Sequence, residues 1–303
     1  MTADHAGAVP TAVSGDLRAY GASMADDFDP NTVQIRNAAT VMLVRDADGD
    51  PGVEVFMLRR TGKASFAAGM YVFPGGRVDD VDHADEIEPF CQGLDDENAS
   101  GQLGIESGGL AYWVASIREC YEEAGILLAA KRDGSALTIG DDDRHAVHDG
   151  TLSMVDLCKR DDLILDLSTT QYVDHWITPK GEPRRFDTRF FVTEAPAGQD
   201  GLHDDKETVE SLWIRPADAL RMQAAGELMM MPPTIKNLRW LDGFAAASDA
   251  VDAGAEITDV VEILPKLLFD EGGKISGVSR PGDPGYDDIP VDDPQFVARR
   301  NSR

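Results

Sequence analysis

Through its first half the chain alternates apolar runs of strand length with short polar breaks, and it turns to a helical period only later. Ala38-Ala39-Thr40-Val41-Met42-Leu43-Val44 is one such run and Val53–Arg60 another. Asp46-Ala47-Asp48-Gly49-Asp50-Pro51-Gly52 between them is rich in turn formers, so the pair reads as a hairpin. The Asp spacing also hints at a calcium loop, but the later glutamate of such a loop is missing and the turn is the better reading. Ala68–Phe73 reads as a third strand leading into Pro74-Gly75-Gly76. Further strands are expected at Leu163–Leu167, Tyr172–Thr178, Arg185–Val192 and Leu212–Ile214.

Helices are expected at Leu110–Ala124 and Ala217–Ala225, and at Ile235–Phe244 behind Pro232-Pro233-Thr234. There proline fits the first turn and Thr234 the N-cap, with anion binding at that helix start as the functional alternative. Glu256–Phe269 is a weaker segment, and Asp141–His148 reads as a charged loop whose His145 and His148 could bind metal but are better read as solvated. Trp176 and Trp213 follow strand periodicity as core or pocket walls. Mixed strands around one helix, followed by helices, make an α/β (α+β) architecture. Residues 1–34, small, polar and acidic without a lasting period, read as a disordered arm. Residues 35–270 read as one domain with a helical C-terminal part at 217–270, and 271–303, rich in Gly, Pro and Asp, as a flexible tail.

With 303 residues, 42% of them hydrophobic, the chain can bury a sizeable core. No apolar stretch is long enough to predict a transmembrane helix, and Met1–Ala12 lacks the basic and apolar regions of a signal peptide. The last three residues are not a peroxisomal address. Cys91, Cys120 and Cys158 are odd in number and lack metal-type spacing, which points to a reducing, cytoplasmic setting. A net charge of −27 repels phosphate at long range and so argues against nucleic-acid or membrane partners. Any phosphate-bearing small molecule must then be met locally, by a metal or a few arginines.

The densest chemistry lies in Arg118-Glu119-Cys120-Tyr121-Glu122-Glu123-Ala124-Gly125. Glu119, Glu122 and Glu123 stand at i, i+3 and i+4 and share one face of a helix. Three like charges so close repel one another, unless a hard divalent cation sits over that face and takes their oxygens together with substrate phosphate. Arg118 can reach Glu122 one turn on, and Gly125 ends the helix. Taken alone, such a string is more often a solvated helix face. Upstream, Phe73-Pro74-Gly75-Gly76-Arg77-Val78-Asp79 offers adjacent glycines where backbone can approach a ligand.

Together the two strings resemble the Nudix box, G-x5-E-x7-R-E-U-x-E-E-x-G-U with U aliphatic, of the Nudix hydrolase superfamily. The second half matches throughout if Cys120 counts as a small apolar residue. The first half departs: six positions after Gly76 stands Asp82 rather than Glu, and eight before Arg118 stands Leu110. Gly76 and Arg118 lie 42 positions apart where the uninterrupted motif has 14, so 28 residues are inserted. The insertion, about 83–109, is acidic and Gly-rich and reads as a surface excursion, with a lid or specificity loop as the alternative. The glycine string, the interrupted box, Trp176-Ile177-Thr178-Pro179, Arg184–Phe191 and Pro232-Pro233-Thr234 are similar to the branch that includes the peroxisomal coenzyme A diphosphatases. The arginine that a separate coenzyme A motif would require is replaced by Ser65.

The resemblance implies a Nudix-type α/β/α sandwich with a mixed sheet and additional C-terminal helices. It also implies hydrolysis of a diphosphate linkage with Mg²⁺ or Mn²⁺. Glu119, Glu122, Glu123 and the Gly75 carbonyl are then the expected metal ligands, Glu119 and Glu122 activate water, Arg118 orients them, and Gly76 meets the substrate. Coenzyme A or an acyl-coenzyme A leads as substrate, with NADH, ADP-ribose and nucleotide sugars as alternatives and a homodimer left open. A Nudix-fold binding or regulatory module without turnover is the competing class.

Two further groups carry alternatives. In Arg184–Phe191 a period of two sets Phe186, Thr188 and Phe190 on one side and Arg185, Asp187 and Arg189 on the other. Arg185 and Arg189 could clamp a substrate phosphate or form a cross-strand ion-pair ladder. Glu207 and Glu210, in an acidic loop, could add a carboxylate to the metal site or belong to a solvated turn.

Overall fold

The computed structural model describes residues 31–289 apart from 50, 65, 84, 139, 205 and 270–274. Almost all of the expected arm (1–34), residue 65, and residues 271–274 and 290–303 of the expected tail therefore lie outside the described residues. The first half of the fold contains β1 (Ile35–Asp46), β2 (Val53–Arg60), β3 (Tyr71–Val72), β4 (Gly75–Arg77), β5 (Cys91–Gln92), α1 (Asp96–Leu103) and α2 (Leu110–Ala124). Then come β6 (Ala130–Lys131), α3 (Asp141–His148), α4 (Met154–Asp161), β7 (Leu163–Asp166), β8 (Gln171–Ile177) and β9 (Arg185–Glu194). The chain continues through β10 (Thr208–Ile214), α5 (Pro216–Ala224), α6 (Pro232–Leu241), α7 (Ala247–Ala255), β11 (Glu262–Ile263), β12 (Lys266–Phe269) and β13 (Ile275–Ser279).

β1 is apolar on both faces because it runs through the middle of the molecule. The main sheet has the order β10-β2-β1-β9-β8-β11, with β3 added to β2 and β4 to β1. β1 pairs with β9 in parallel and with β2 and β4 antiparallel, so the sheet is mixed, as expected. Ala39, Val41 and Leu43 pack with Trp113, Ile117 and Tyr121 of α2 on one face. Met42 and Val44 pack with Leu238 and Leu241 of α6 and Ala247 of α7 on the other. The result is the α/β/α sandwich.

Several local expectations are corrected. The insertion is not a mere surface excursion. Its α1 buries Ala99 and Leu103, Ile87 joins the same core, and β5 pairs in parallel with β7. It also builds the start of α2: Asp96 accepts from the N–H groups of Gly108 and Leu110 at 2.9 and 3.0 Å, and Ser100 Oγ from Gly109 N–H at 2.9 Å. These bonds satisfy donors that a helix start leaves open, with an acid at the positive end of the helix dipole. Asp141–His148 is helix α3 rather than loop, opened by three acidic residues in its first turn. Helix α6 starts at Pro232 with Met231 as N-cap, so Thr234 lies inside the helix and does not cap it. Segment 256–269 carries short strands, and within the expected tail Ile275–Ser279 pairs antiparallel with β12.

Candidate active site

Helix α2 ends where Gly125 takes the left-handed conformation (φ 68°), which leaves Glu119, Glu122 and Glu123 in its last turns. All three side chains are largely buried, with 13%, 11% and 5% exposure. Gly75 N–H donates to Glu123 Oε2 at 3.0 Å. A methyl group at Gly75 would lie 2.5 Å from the Ala39 carbonyl of β1, and one at Gly76 2.5 Å from the Glu119 carboxyl. Neither glycine has positive φ. They are required for close approach, one to backbone and the other to a carboxylate.

Arg118 joins the two halves of the site. Its Nε and Nη2 donate to both carboxylate oxygens of Asp82 at 2.8 and 2.9 Å, and Nη2 also donates to the Arg77 carbonyl at 2.8 Å. Nη1 meets Glu119 at 2.8 Å and Glu122 at 3.1 Å. Asp82, the residue that departs from the motif, is the buried partner of the arginine at the start of the insertion. Burial opposes the charge on Arg118, but the Asp82 hydrogen bond and attraction from Glu119 and Glu122 outweigh it, so this guanidinium stays charged.

Burial raises the Glu119 carboxyl well above its ordinary range, with repulsion from Glu123 and Glu122 adding to the shift and Arg118 opposing it. Burial also raises Glu122, against Arg118. Glu123 is pushed up to about 7 by burial, with Glu207 and Asp204 adding and Arg60 opposing. Arg60 stands 3.7 Å from Glu123 and 3.4 Å from Glu207, so Glu207 reaches the site. Glu210 does not: it pairs with Arg59 at 3.3 Å on the surface.

Two residues that the loop reading of 141–148 missed lie close by. Arg144 donates to the carbonyls of Glu122 and Glu123, both at 2.9 Å, and fixes the C-terminal turn of α2. His148 Nδ1 lies 3.8 Å from Glu122 Oε2. The helical spacing of Arg144 and His148, at i and i+4, was the available signal.

A cavity of about 840 Å³ runs from these carboxylates across the sheet to Trp176, Thr178, Phe186 and Pro233. Phe186, Thr188 and Phe190 line it, as their parity predicts. Arg185 and Arg189 do not, which corrects the phosphate-clamp expectation. Both are buried on the opposite side, where Arg189 lies over Tyr112 of α2 and bonds Asp187, and Asp187 meets His175 at 2.6 Å. Arg185 Nε donates to the Thr178 carbonyl at 2.9 Å and so ties down the turn that leads into β9. Both arginines make structural contacts instead, and the carboxylate partner of Arg189 lies on its own strand rather than across the sheet. Arg184, one position before Arg185, is the arginine of this stretch that lines the cavity, and strand parity could have found it.

Three carboxylates on one helix face, their charge disfavoured by burial, suit a hard divalent cation in donor chemistry. Among the described residues no three Asp, Glu, His or Cys side chains are already grouped to hold one. Arg118 and Arg60 share the carboxylates instead. Side chains on one helix turn converge on a cation by rotamer change alone, so the donor set still fits one.

A mixed sheet between helical layers, with a glycine strand packed under the carboxylates of an R-E-x-x-E-E helix, is the arrangement of the Nudix hydrolases, and the chain is similar to them in sequence and fold. The model of the NUDT19 Nudix domain matches residues 94–241. The chain is 27% identical to the acyl-coenzyme A diphosphatase NUDT19 of Gallus gallus, over 73% of this chain and 72% of that protein. It is 25% identical to the Homo sapiens protein of the same name, over 87% and 83% respectively. A Nudix hydrolase structure from Alicyclobacillus acidocaldarius superposes with a TM-score of 0.63 at 27% identity, covering 73% of this chain and 97% of that one. Nudix hydrolases generally use a divalent metal and act on small nucleotide-type substrates.

Proposed function

We propose that this protein hydrolyses the diphosphate linkage of coenzyme A or an acyl-coenzyme A, with Mg²⁺ or Mn²⁺. The observation that carries the reading is the buried trio Glu119, Glu122 and Glu123 set against Gly75 and Gly76 in one large cavity. The Gallus gallus and Homo sapiens relatives are named acyl-coenzyme A diphosphatases, which supports this choice of substrate.

Glu119, Glu122 and Glu123 would hold the cation, which when bound neutralises the diphosphate and acidifies water. Water attacks one phosphorus, its proton passes to a carboxylate of the trio, and the anhydride oxygen leaves with the other phosphate. Arg118, anchored by Asp82, keeps Glu119 and Glu122 turned towards the cavity. Arg60 holds Glu123 beside Glu207. The three free thiols support a reducing, cytoplasmic setting.

The test is a panel of coenzyme A, an acyl-coenzyme A, NADH, ADP-ribose and a nucleotide sugar, each with Mg²⁺ or Mn²⁺ and with chelator, products being identified by mass. Metal-dependent release of 3′,5′-ADP from coenzyme A, faster than release from the other substrates, is expected. Preferred cleavage of NADH or ADP-ribose would replace the substrate, and saturable binding without turnover would make the protein a regulatory module.

A further inference from the structure

At the end of the cavity away from the carboxylates, β1 and β9 present cations and an aromatic ring side by side. Arg36 and Phe186 are Cα partners across the parallel β1–β9 pair, and both line the cavity. Paired residues project to the same face of a sheet. Phe186 lies against Phe66, with ring centroids 5.3 Å apart and planes tilted by 60°, and both rings are only partly buried. Arg184 lies two positions before Phe186 on the same wall.

Of the cavity's five arginines, Arg60 and Arg118 are committed to the site carboxylates and Arg77 stands 3.6 Å from Asp79. Among the described residues no carboxylate lies within ion-pair distance of Arg36. In a chain of net charge −27, exposed arginines turned into a cavity are a local reversal of the overall field.

Arg36, Ala38 and Thr40 of β1 line the cavity in turn, and Thr40 pairs with Gly75, which bonds Glu123. Four strand residues at roughly 3.3 Å each put Arg36 about 13 Å along the strand from the metal-binding end. Arginine side chains reach back over part of that distance. The remaining span suits a nucleotide whose diphosphate lies at the carboxylates and whose base rests on Phe186.

We propose that Arg36 and Arg184, flanking Phe186, form a subsite for a phosphomonoester carried on the substrate's ribose, remote from the diphosphate that is cleaved. This rests on the reading of the protein as a coenzyme A diphosphatase and adds the residues that separate a ribose-phosphorylated nucleotide from an unphosphorylated one. A dianionic phosphate beside two guanidinium groups gains charge-assisted, bidentate hydrogen bonds, and the ring supplies a face for the base. Arg185 acts here only through position, by holding the Thr178 carbonyl and hence the turn that carries Arg184.

The experiment compares coenzyme A with 3′-dephospho-coenzyme A as substrates of the wild type, Arg36→Ala, Arg184→Ala and the double variant, at saturating Mg²⁺. Each single variant should lose roughly tenfold or more in kcat/KM on coenzyme A, mainly through KM, and much less on the dephospho form. Melting temperatures should stay within a degree or two, because both side chains are exposed. Equal losses on both substrates, or none on either, would overturn the subsite.

Titration with adenosine 3′,5′-bisphosphate against AMP reads the same subsite without turnover. Wild type should bind the bisphosphate more tightly, and the double variant should lose that preference. If wild type cleaves neither coenzyme A compound yet keeps the preference, the diphosphatase reading fails and the subsite stands. If wild type binds both nucleotides equally, the subsite fails whatever the enzyme cleaves.

Discussion

Arg118 grips both carboxylate oxygens of Asp82, 36 positions earlier, at 2.8 and 2.9 Å, and the two side chains are only 8% and 1% exposed. Asp82 thus holds the arginine that in turn orients Glu119 and Glu122, at the point where the chain leaves for its insertion. Removing Asp82 would leave a buried guanidinium without the one carboxylate that it holds through both oxygens. For Asp82→Ala we expect a stability loss of about 3–5 kcal/mol, and hence a melting temperature lower by about 6–20 °C. kcat should fall with it, and Asp82→Glu should recover part of both. Thermal melts and steady-state kinetics on the three proteins measure this, and an unchanged melting temperature in Asp82→Ala would show that the pair does not anchor the site.

Glu122→Gln and Glu123→Gln should each nearly abolish turnover while the fold stays intact. Both remove a carboxylate whose charge is disfavoured by burial, so in chelator the variants should melt no lower than wild type. Full activity of either variant at saturating Mg²⁺ would remove that glutamate from the metal site.

The pH dependence of the metal-free protein follows from Glu123, whose ordinary value of 4.5 is raised to about 7. The folded state holds this proton more tightly than the unfolded chain does. Its contribution to stability is therefore fully present below 4.5 and is lost as pH rises through 7. In chelator, Glu123→Gln should gain on wild type in melting temperature across that window. Added divalent cation should stabilise wild type more at pH 8 than at pH 5, because it binds the ionised form. Melts at half-unit pH steps measure both effects.

Gly75→Ala and Gly76→Ala should fail differently. The new methyl at position 75 meets β1 backbone, which cannot give way without opening the β1–β4 pairing, so stability should fall by roughly 1–3 kcal/mol. At position 76 it meets the end of the Glu119 side chain, which can swing aside. Activity should then drop tenfold or more with a smaller change in melting temperature. Paired melts and kcat measurements separate the two, and matching losses would contradict the packing difference.

Arg189→Met should lower the melting temperature and leave KM within about twofold. It strips buried Asp187 of a cationic partner, a loss of about 3–5 kcal/mol, but the residue lies outside the cavity. A strong rise in KM without destabilisation would restore the clamp.

The sequence by itself determined the elements whose signal is local. The apolar run of β1, the parity of β9 and the face shared by Glu119, Glu122 and Glu123 are consequences of strand and helix periods, which any chain with these residues must obey. So is the helix stop at Gly125. What parity could not say is which side of β9 meets a helix and which meets a cavity. That depends on α2 lying over Arg189 through Tyr112, and on α6 leaving room beside Phe186 and Trp176.

The same limit explains Asp82, Arg144 and Arg36. Asp82 finds Arg118 only because the insertion folds back and packs Ile87, Ala99 and Leu103 into the core. Arg144 finds the end of α2 only because α3 docks there. Arg36 faces Phe186 through a parallel pairing between strands some 150 positions apart in the chain. Local periods are set by backbone geometry within a few residues. Partners across such distances are set by the packing that closes the loop between them, and for this protein that packing decided which charged side chains are structural and which face the substrate.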